Sequence, residues 1–391
     1  MNIAFYAPLK PPDHPTPSGD RAMARLLLRA LRACGHRVTL ASRLRSFERA
    51  GDARVQGAIR ERARGVLERL RVRYRDAPAA ARPQLWFSYH LYHKAPDLLG
   101  PAISRELAIP YVVAEASHAP KQAGGPWAAG HLAAAQAMQT ATRVIELNPA
   151  DAPCVRALLG GAARMRTLAP FIDARASARR ARDRDASRAL HRAVGVAPGV
   201  LLLVTVAMMR PGAKLASYRV LGDALARLSD RAWQLLVLGD GPARAQVHAA
   251  LAGLGERVRY AGQCAAADLA RWIAPADVHV WPAVDEAWGM AFLEAGALAI
   301  PSVAGREGGV GAVLAHREGG LLVPPRDAGA FAAAVAALLD DAAARRAMGE
   351  AARRKVLAEH DLPVAAAALD RILAEAVAGH ACCGGSCANC S

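Results

Sequence analysis

Two glutamates, Glu286 and Glu294, stand in this chain with seven residues between them. The apolar run Val278–Trp281 predicts a short buried strand that Pro282 ends, and the small and apolar residues 290–298 predict a helix. Glu286 is then expected in a loop before a helix N-terminus, where free N–H groups can hold an anionic or hydroxyl-rich ligand. Glu294 is expected inside the helix, where a buried carboxylate needs a partner such as a ribose diol. The alternative is that Glu286 is a solvated residue of a loop and Glu294 an ordinary surface residue of a helix.

The surroundings of the two glutamates resemble the nucleotide-sugar site of the retaining glycosyltransferases of family 4. The family signature, Glu-x-x-Gly-x-x-x-x-Glu-Ala, corresponds to residues 286–295. The segments that follow it in the family have counterparts at 301–303, 308–309 and 320–325. The sequence departs from the family at 311–312, where Gly and Ala stand in place of a proline and a glutamate.

The resemblance implies roles for the residues around this motif. Glu294 would hold the ribose of the donor, and Glu286 would hold hydroxyls of the donor sugar and stabilise charge as the bond breaks. Further donor-binding residues are implied at helix starts and at turns that follow strands: Gly289, Met290, Ala291, Gly241 in the Gly-Asp-Gly-Pro turn, and Gly262.

The loop after the apolar strand 200–207 contains Arg210 and Lys214. The family carries an arginine and a lysine here that clamp the donor diphosphate, a task that suits a forked guanidinium and a point-charge ammonium. The chain has Ala207 and Met208 where the family usually has Gly-Arg, so its arginine is displaced by about two residues.

The first half of the chain opens with a β-loop-α-β pattern, in which Gly19 lies at a helix start. The resemblance implies that the Gly19 loop faces the diphosphate. A strand at 109–115 leads to His118, which matches a family histidine close to the donor sugar. An alignment shifted by two residues would make Glu115 the inward group instead.

The order of the predicted elements indicates an α/β fold, and the resemblance implies the GT-B arrangement, with two Rossmann-like domains facing across a cleft. Residues 1–173 are assigned to an N-terminal acceptor-side domain and 174–362 to a C-terminal nucleotide-sugar-binding domain. Residues 363–379 are expected to form a helix that returns to the first domain. The tail 380–391 carries four thiols that could bind a thiophilic metal or have no ligand: Cys382, Cys383, Cys387 and Cys390.

Fifty basic and 34 acidic residues give a formal net charge of +16, which favours anionic partners. Residues 43–75 carry eleven arginines in a pattern that predicts a helix with an arginine-rich face. This face is either a solvated surface or a docking surface for an anionic membrane. Few aromatic residues occur there, so nucleic-acid binding is not expected.

The sequence contains no apolar run that reaches the roughly 18 residues of a spanning helix, and its start predicts a strand rather than a signal peptide. We therefore expect a cytoplasmic protein that could attach to the inner membrane face. The hypothesis is a retaining hexosyltransferase that uses a UDP- or GDP-sugar as donor and a sugar, lipid or small-molecule acceptor. No feature calls for a metal or another cofactor. The alternatives are a nucleotide-sugar epimerase and a non-catalytic binder of nucleotide sugars or anionic surfaces.

Overall fold

The computed structural model of the protein describes residues 1–16 and 18–384, with the backbone alone for 381–384. It divides into two compact units. Unit 1 comprises Met1–Ala169 and the residues from Leu362 onward, and unit 2 comprises Pro170–Asp361. The boundaries predicted from the sequence follow residues 173 and 362.

Unit 1 contains six strands: β1 (Asn2–Tyr6), β2 (Arg37–Ser42), β3 (Leu85–Leu91), β4 (Tyr111–Ala116), β5 (Arg143–Glu146) and β6 (Met165–Thr167). They form one parallel sheet in the order β2-β1-β3-β4-β5-β6. The helices before Ala169 are α1 (Gly19–Ala33), α2 (Ala53–Asp76), α3 (Gly100–Glu106), α4 (Ala128–Thr140) and α5 (Ala152–Leu158). Two short 3-10 helices, Ala79–Ala81 and Pro120–Gln122, complete this part.

Unit 2 contains β7 (Leu201–Val206), β8 (Trp233–Leu238), β9 (Val258–Gly262), β10 (Val278–Trp281), β11 (Ser302–Gly305) and β12 (Gly320–Val323). Its helices are α6 (Ala174–Ala181), α7 (Arg184–Ala193), α8 (Ala213–Ala226), α9 (Arg244–Leu251), α10 (Leu269–Ile273), α11 (Met290–Ala297), α12 (Val310–Val313), α13 (Ala328–Asp340) and α14 (Ala342–Glu359), with a 3-10 helix at Ala252–Arg257. The strands form a parallel sheet in the order β12-β11-β10-β7-β8-β9. This is the Rossmann order, whose topological switch point lies between β7 and β10.

Both faces of the unit 2 sheet are covered. Leu203 and Leu235 pack into one apolar cluster, whereas the adjacent residues Leu202 and Leu236 pack into another. Successive side chains of a strand point to opposite faces, so a strand that is buried on both sides needs an unbroken apolar sequence. This explains why β7 and β8 were recognisable as continuous apolar runs.

The last helix, α15 (Leu362–Gly384), belongs to unit 1. The Asp370 carboxylate lies 3.0 Å from Nε2 of His36, and the Cys34 thiol donates to the Ala366 carbonyl over 3.2 Å. The helix thus follows unit 2 in the chain but packs on the first residues of unit 1. The proposed thiol site of the tail lies outside the described residues, as do the side chains of Cys382 and Cys383.

The prediction of a helix over the whole of 43–75 was wrong, because α2 begins only at Ala53. The preceding segment is held as a loop by bonds between side chains and backbone. The buried Ser46 hydroxyl donates to the Pro96 carbonyl over 2.6 Å, and the Glu48 carboxylate accepts from the N–H groups of Ala50 and Gly51. None of the helices in the described part of the chain is long and apolar enough to cross a membrane.

Candidate functional site

The predicted donor-site residues of unit 2 lie beyond the carboxyl ends of four neighbouring strands. Arg210 and Lys214 follow β7, Gly241 follows β8, Gly262 ends β9, and Glu286 follows β10. In open parallel sheets, ligands bind beside the carboxyl ends of the strands at the switch point. Because β7 and β10 are adjacent in the sheet, the segments that follow them meet at that point. Lys214 was predicted in a loop, but it lies in the first turn of α8, whereas Glu286 lies in the turn after β10.

Glu286 and Lys214 are in direct contact, although 71 residues separate them in the chain. The Lys214 ammonium donates to Oε2 of Glu286, and the Trp281 indole N–H donates to the same oxygen over 3.1 Å. The ammonium also lies 5.3 Å from the centroid of the Trp281 ring. The second carboxylate oxygen, Oε1, accepts no hydrogen bond from the described residues. With 14% of its side chain exposed, Glu286 is held at one oxygen and remains available to a ligand at the other.

The turn that carries Glu286 is strained. Ala283 and Asp285 adopt φ of 58° and 48°, a left-handed conformation that non-glycine residues rarely adopt. The buried Ser217 hydroxyl accepts from the Val284 N–H between them, over 3.0 Å. Ser217 and Lys214 lie three residues apart on α8, so they occupy the same face of the helix and attach to one turn at two points.

A glycine pair fixes the other side of this turn. The Gly309 N–H donates to the Ala287 carbonyl over 2.8 Å. Gly308 has a φ of 55°, and a Cβ placed on it would lie 1.9 Å from the Glu286 carbonyl oxygen. The pair therefore allows the backbone after β11 to approach the backbone of Glu286, an approach that no other residue type permits.

We expect Gly308→Ala to destabilise unit 2 by about 2 to 4 kcal/mol, because it adds a backbone clash to the cost of a left-handed alanine. Urea unfolding of the full chain measures this change. Gly311→Ala is the matched control, since a Cβ on Gly311 meets nothing within 4 Å. Equal stability of the two variants would contradict the packing described for this turn.

Gly289 caps the helix after Glu286, and its φ of 70° places it in the left-handed region. Met290 and Ala291 are the first two residues of that helix, and both are half-buried. Glu294 follows within the same helix. The residue is half-buried, and its carboxyl group forms no hydrogen bond or ion pair with residues 1–16 or 18–384. Burial raises the pKa of Glu294 to about 7. A carboxylate in this position is costly without a partner, so the site suits a ligand that donates hydrogen bonds.

Glu294→Gln provides a pH-dependent test of that cost. The pKa of Glu294 in the folded protein lies above its ordinary value of 4.5, so ionisation of this carboxyl disfavours the folded state. The ligand-free variant should gain stability over the wild type as pH rises from about 4.5 to about 7, by about 2 to 3 kcal/mol. Urea unfolding at several pH values measures the difference. A difference that does not change with pH would contradict the burial of this carboxyl.

Gly241 and Gly262 join the loops at the ends of β7, β8 and β9. A Cβ on Gly241, whose φ is 154°, would lie 2.4 Å from the Met209 carbonyl oxygen, so the two loops are in close contact. The Gly262 carbonyl accepts from the Gly239 N–H over 2.8 Å.

Arg210 is exposed, and its guanidinium forms no bond with any described residue. Of the two cations predicted to bind the diphosphate, Lys214 therefore contacts Glu286, whereas Arg210 contacts neither of them through its side chain.

Gly19 and His118 lie in unit 1. Gly19 is the first residue of α1, where the Ser18 hydroxyl caps the helix by accepting from the Arg21 N–H over 3.2 Å. The ring of His118 lies 4.6 Å from that of His131, between centroids. Burial, and then the charge of His131, lower the pKa of His118. The roles of Gly19 and His118 toward a donor stay predictions.

Unit 1 also contains a cluster that the sequence analysis missed. His90 Nδ1 lies 3.1 Å from the Asp20 carboxylate and 3.8 Å from that of Glu115. His90 and Glu115 are the penultimate residues of the neighbouring strands β3 and β4, and both have a left-handed backbone, with φ of 58° and 59°. Burial alone would lower the pKa of His90, but the two carboxylates outweigh it and raise the pKa. Glu115, the alternative to His118, therefore lies within a cluster of ionisable side chains.

Three further residues lie near the Glu286 turn in unit 2, and the sequence did not predict their part in the site. Trp281 was recognised as part of a strand but not as a donor to Glu286, and Ser217 was not recognised at all. The one available signal was the position of Trp281 at the last residue of a strand beside the acidic turn. Glu307 lies on the loop next to Gly308, and its Oε2 is buried without a hydrogen-bond partner in the described residues.

Comparison with known proteins finds a family similarity within unit 2. Residues 201–341 match the family described as Glycosyl transferases group 1. This segment of unit 2 is therefore similar to group 1 glycosyl transferases. This confirms the resemblance for that part of the chain, which includes Lys214, Glu286 and Glu294. A D-inositol 3-phosphate glycosyltransferase of Catenulispora acidiphila is 32% identical over 163 residues, which cover 39% of this chain and 38% of that protein. The chain spans about two fifths of the length of the curated relatives it matches first.

Solved structures match over nearly the whole chain. A glycosyltransferase from Rickettsia africae has a TM-score of 0.72 at 15% identity, with 96% of this chain and 98% of that chain covered. The Anabaena protein Alr3699/HepE, solved in complex with UDP-glucose, has a TM-score of 0.70 at 16% identity, with 96% and 99% covered. These similarities confirm the predicted fold class, α/β with two Rossmann-like sheets of the GT-B type.

Proposed function

We propose that the protein transfers a sugar from a nucleotide diphosphate sugar to an acceptor hydroxyl, with retention at the anomeric carbon and without a metal ion. The observation that carries this proposal is the state of Glu286, which is held at one oxygen by Lys214 and Trp281 and has no partner among the described residues at the other. The family of residues 201–341 supports the type of reaction. The UDP-glucose bound to the Anabaena relative supports the type of donor.

The ribose of the donor is assigned to Glu294. Two neighbouring hydroxyls can both donate to one carboxylate, and they would stabilise the ionised form that burial disfavours. The half-buried N-terminal turn of α11, with Met290 and Ala291, would lie beside the ligand. Gly289 supports this arrangement, because its left-handed conformation begins the helix without a side chain in the way.

The diphosphate is assigned to Lys214, with Arg210 as a second cation. As the bond from the anomeric carbon to the phosphate oxygen breaks, negative charge grows on the diphosphate, and a fixed cation stabilises it. The acceptor oxygen forms the new bond on the same face of the sugar, and its proton passes to the leaving phosphate. Glu286 would accept hydrogen bonds from hydroxyls of the donor sugar and stabilise the positive charge that develops on its ring.

The proposal extends to the acceptor of the sugar and to the location of the protein in the cell. The inositol phosphate glycosyltransferases among the relatives suggest an acceptor hydroxyl on a small polyol, alongside a sugar or a lipid. The formal charge of +16 supports a peripheral contact with an anionic membrane, which implies action at the cytoplasmic face.

Donor hydrolysis in the absence of acceptor tests the proposed chemistry. Purified protein is incubated with UDP-, GDP- and ADP-sugars, with and without EDTA, and the released nucleotide is quantified. We expect slow release from one donor family, unchanged by EDTA, and NMR of the first sugar product to show the anomeric configuration of the donor. Nucleotide binding without any release would support the non-catalytic binder instead, and an inverted product would contradict retention.

A further inference from the structure

Glu307 lies in the loop between β11 and α12, beyond the carboxyl edge of the unit 2 sheet. Because β10 and β11 are parallel neighbours, the segments that follow them run side by side. The Gly305 N–H donates to the Pro282 carbonyl over 3.2 Å at the start of these segments. Further along, the Gly309 N–H donates to the Ala287 carbonyl over 2.8 Å. Glu307 is located between these two contacts, so it borders the turn that follows β10.

The backbone of Glu307 is fixed on both sides. Its N–H donates to the Gly305 carbonyl over 3.0 Å, and its own carbonyl accepts from the Val310 N–H over 3.2 Å. The N–H of the preceding residue, Arg306, donates to the Val323 carbonyl at the end of β12 over 2.8 Å. The position of Glu307 is therefore set by β11, β12 and the start of α12, and its carboxyl group takes no part in these bonds.

The carboxyl group of Glu307 lacks a partner within the protein. It forms no hydrogen bond or ion pair with residues 1–16 or 18–384, and its Oε2 is shielded from solvent. In the same part of the chain, no other aspartate or glutamate has a buried side-chain oxygen without a hydrogen bond. An ionised carboxylate only accepts hydrogen bonds, and its withdrawal from water without a donor is unfavourable. The oxygen is therefore suited to a ligand that supplies the missing donor.

The missing partner of Glu307 is a group that donates a hydrogen bond and carries no negative charge. The diphosphate, which is assigned to Lys214, does not fit, because two anionic groups repel each other. The ribose is assigned to Glu294. The hydroxyls of the sugar ring are neutral donors, and they are assigned to Glu286, whose turn Glu307 borders. The sugar ring is therefore the part of the donor that matches the position and the chemistry of this carboxylate.

We propose that Glu307 accepts a hydrogen bond from a ring hydroxyl of the donor sugar and thereby selects the sugar that is bound. This inference rests on the proposed function, to which it adds a second carboxylate on the sugar side of the donor site. A site that accepts from one particular hydroxyl rejects analogues without it, because its own buried oxygen is then left unpaired. Glu307 is thus assigned to specificity, whereas Glu286 is assigned to the bond that breaks.

Calorimetric titration of the full chain tests the proposal, with UDP-glucose, UDP-N-acetylglucosamine, GDP-mannose and ADP-glucose and with the free nucleoside diphosphates. Glu307→Ala should weaken the binding of the preferred conjugate about 10- to 100-fold, which is the contribution of a hydrogen bond to a charged group. The affinity for the free diphosphate should not change. Deoxy analogues of that conjugate identify the hydroxyl, since one of them should bind the wild type weakly and lose no further affinity in Glu307→Ala.

Glu318→Ala is the matched control. Glu318 is an exposed glutamate of unit 2 that precedes β12, so it lies at the opposite edge of the same sheet. Its replacement should change neither affinity. Glu307→Gln, which keeps the shape of the side chain, checks the structural role: the Tm of the ligand-free variant should not fall, because the carboxylate has no partner to lose.

Equal losses of conjugate and diphosphate binding in Glu307→Ala would place this residue at the nucleotide or in the packing of the loop, and would overturn the proposal. Unchanged binding of every conjugate, or a lower Tm of ligand-free Glu307→Gln, would overturn it as well. If the wild type binds none of the conjugates, the proposed transfer reaction fails together with this inference. If it binds one of them but Glu307→Ala shows no selective loss, only this inference fails.

Discussion

Replacement of Glu286 by glutamine is expected to lower donor hydrolysis and sugar transfer by about 10² to 10³-fold. Glutamine keeps the shape of the side chain but removes the negative charge that would face the developing positive charge of the donor sugar. It also removes the ion pair with Lys214, since the amide oxygen can accept from the ammonium only as a neutral group. Nucleotide binding should change little, because the ribose and diphosphate are assigned to other residues. The rate of nucleotide release and the affinity for free nucleotide measure the two effects separately.

Asp285→Asn is the matched control for this prediction. Asp285 is the adjacent carboxylate on the same turn, but 64% of its side chain is exposed and it pairs with Arg326 at the surface. Asparagine also tolerates the left-handed backbone at this position. The control should retain its activity. Wild-type turnover in Glu286→Gln would remove this residue from the proposed chemistry.

Lys214→Met is expected to reduce kcat/KM by about 10² to 10³-fold and, unlike Glu286→Gln, to weaken the binding of a nucleoside diphosphate about tenfold. Methionine preserves much of the packing of the lysine stem against Trp281 but supplies no charge. The variant also leaves the largely buried Glu286 carboxylate with a single donor, the Trp281 indole. Calorimetric titration with nucleotides and the hydrolysis assay check the two parts of the prediction.

Arg219→Met serves as the control for Lys214→Met, since Arg219 is an exposed cation five residues further along α8. The double variant Glu286→Gln/Lys214→Met adds a test of the contact itself. If the two side chains act as a unit, its loss of activity should be smaller than the product of the single losses. Multiplicative losses together with undiminished diphosphate binding in Lys214→Met would contradict the assignment of both residues.

The strands and helices of unit 2 could be predicted because the sequence pattern of each favours a single type of secondary structure. The run Leu201–Val206 is apolar on both faces and short, which only a central parallel strand accommodates. The segment 43–52 could not be predicted, because its loop depends on bonds from Ser46 to a carbonyl 50 residues away and from Glu48 to its neighbours. The strand Met165–Thr167 was missed because three residues are too few for a periodic pattern.

The candidate site was predictable in its residue types but not in its contacts. Lys214 and Glu286 were each identified from a resemblance, yet only the adjacency of β7 and β10 brings their side chains together. The cluster around His90 had no such signal, because its geometry depends on left-handed backbones at His90 and Glu115. Sequence patterns favour glycine or asparagine in that conformation, so nothing marked a histidine and a glutamate for it.

Thermal unfolding of the full chain in the presence of UDP, GDP, ADP and their sugar conjugates tests the donor site most directly. A ligand that binds only the folded state stabilises it, and a hundredfold excess over Kd should raise Tm by about 5 °C or more. We expect a shift with one nucleotide family, which persists in Glu286→Gln and decreases in Lys214→Met. The absence of a shift with every nucleotide and sugar nucleotide would contradict a donor site at the β7–β10 switch point.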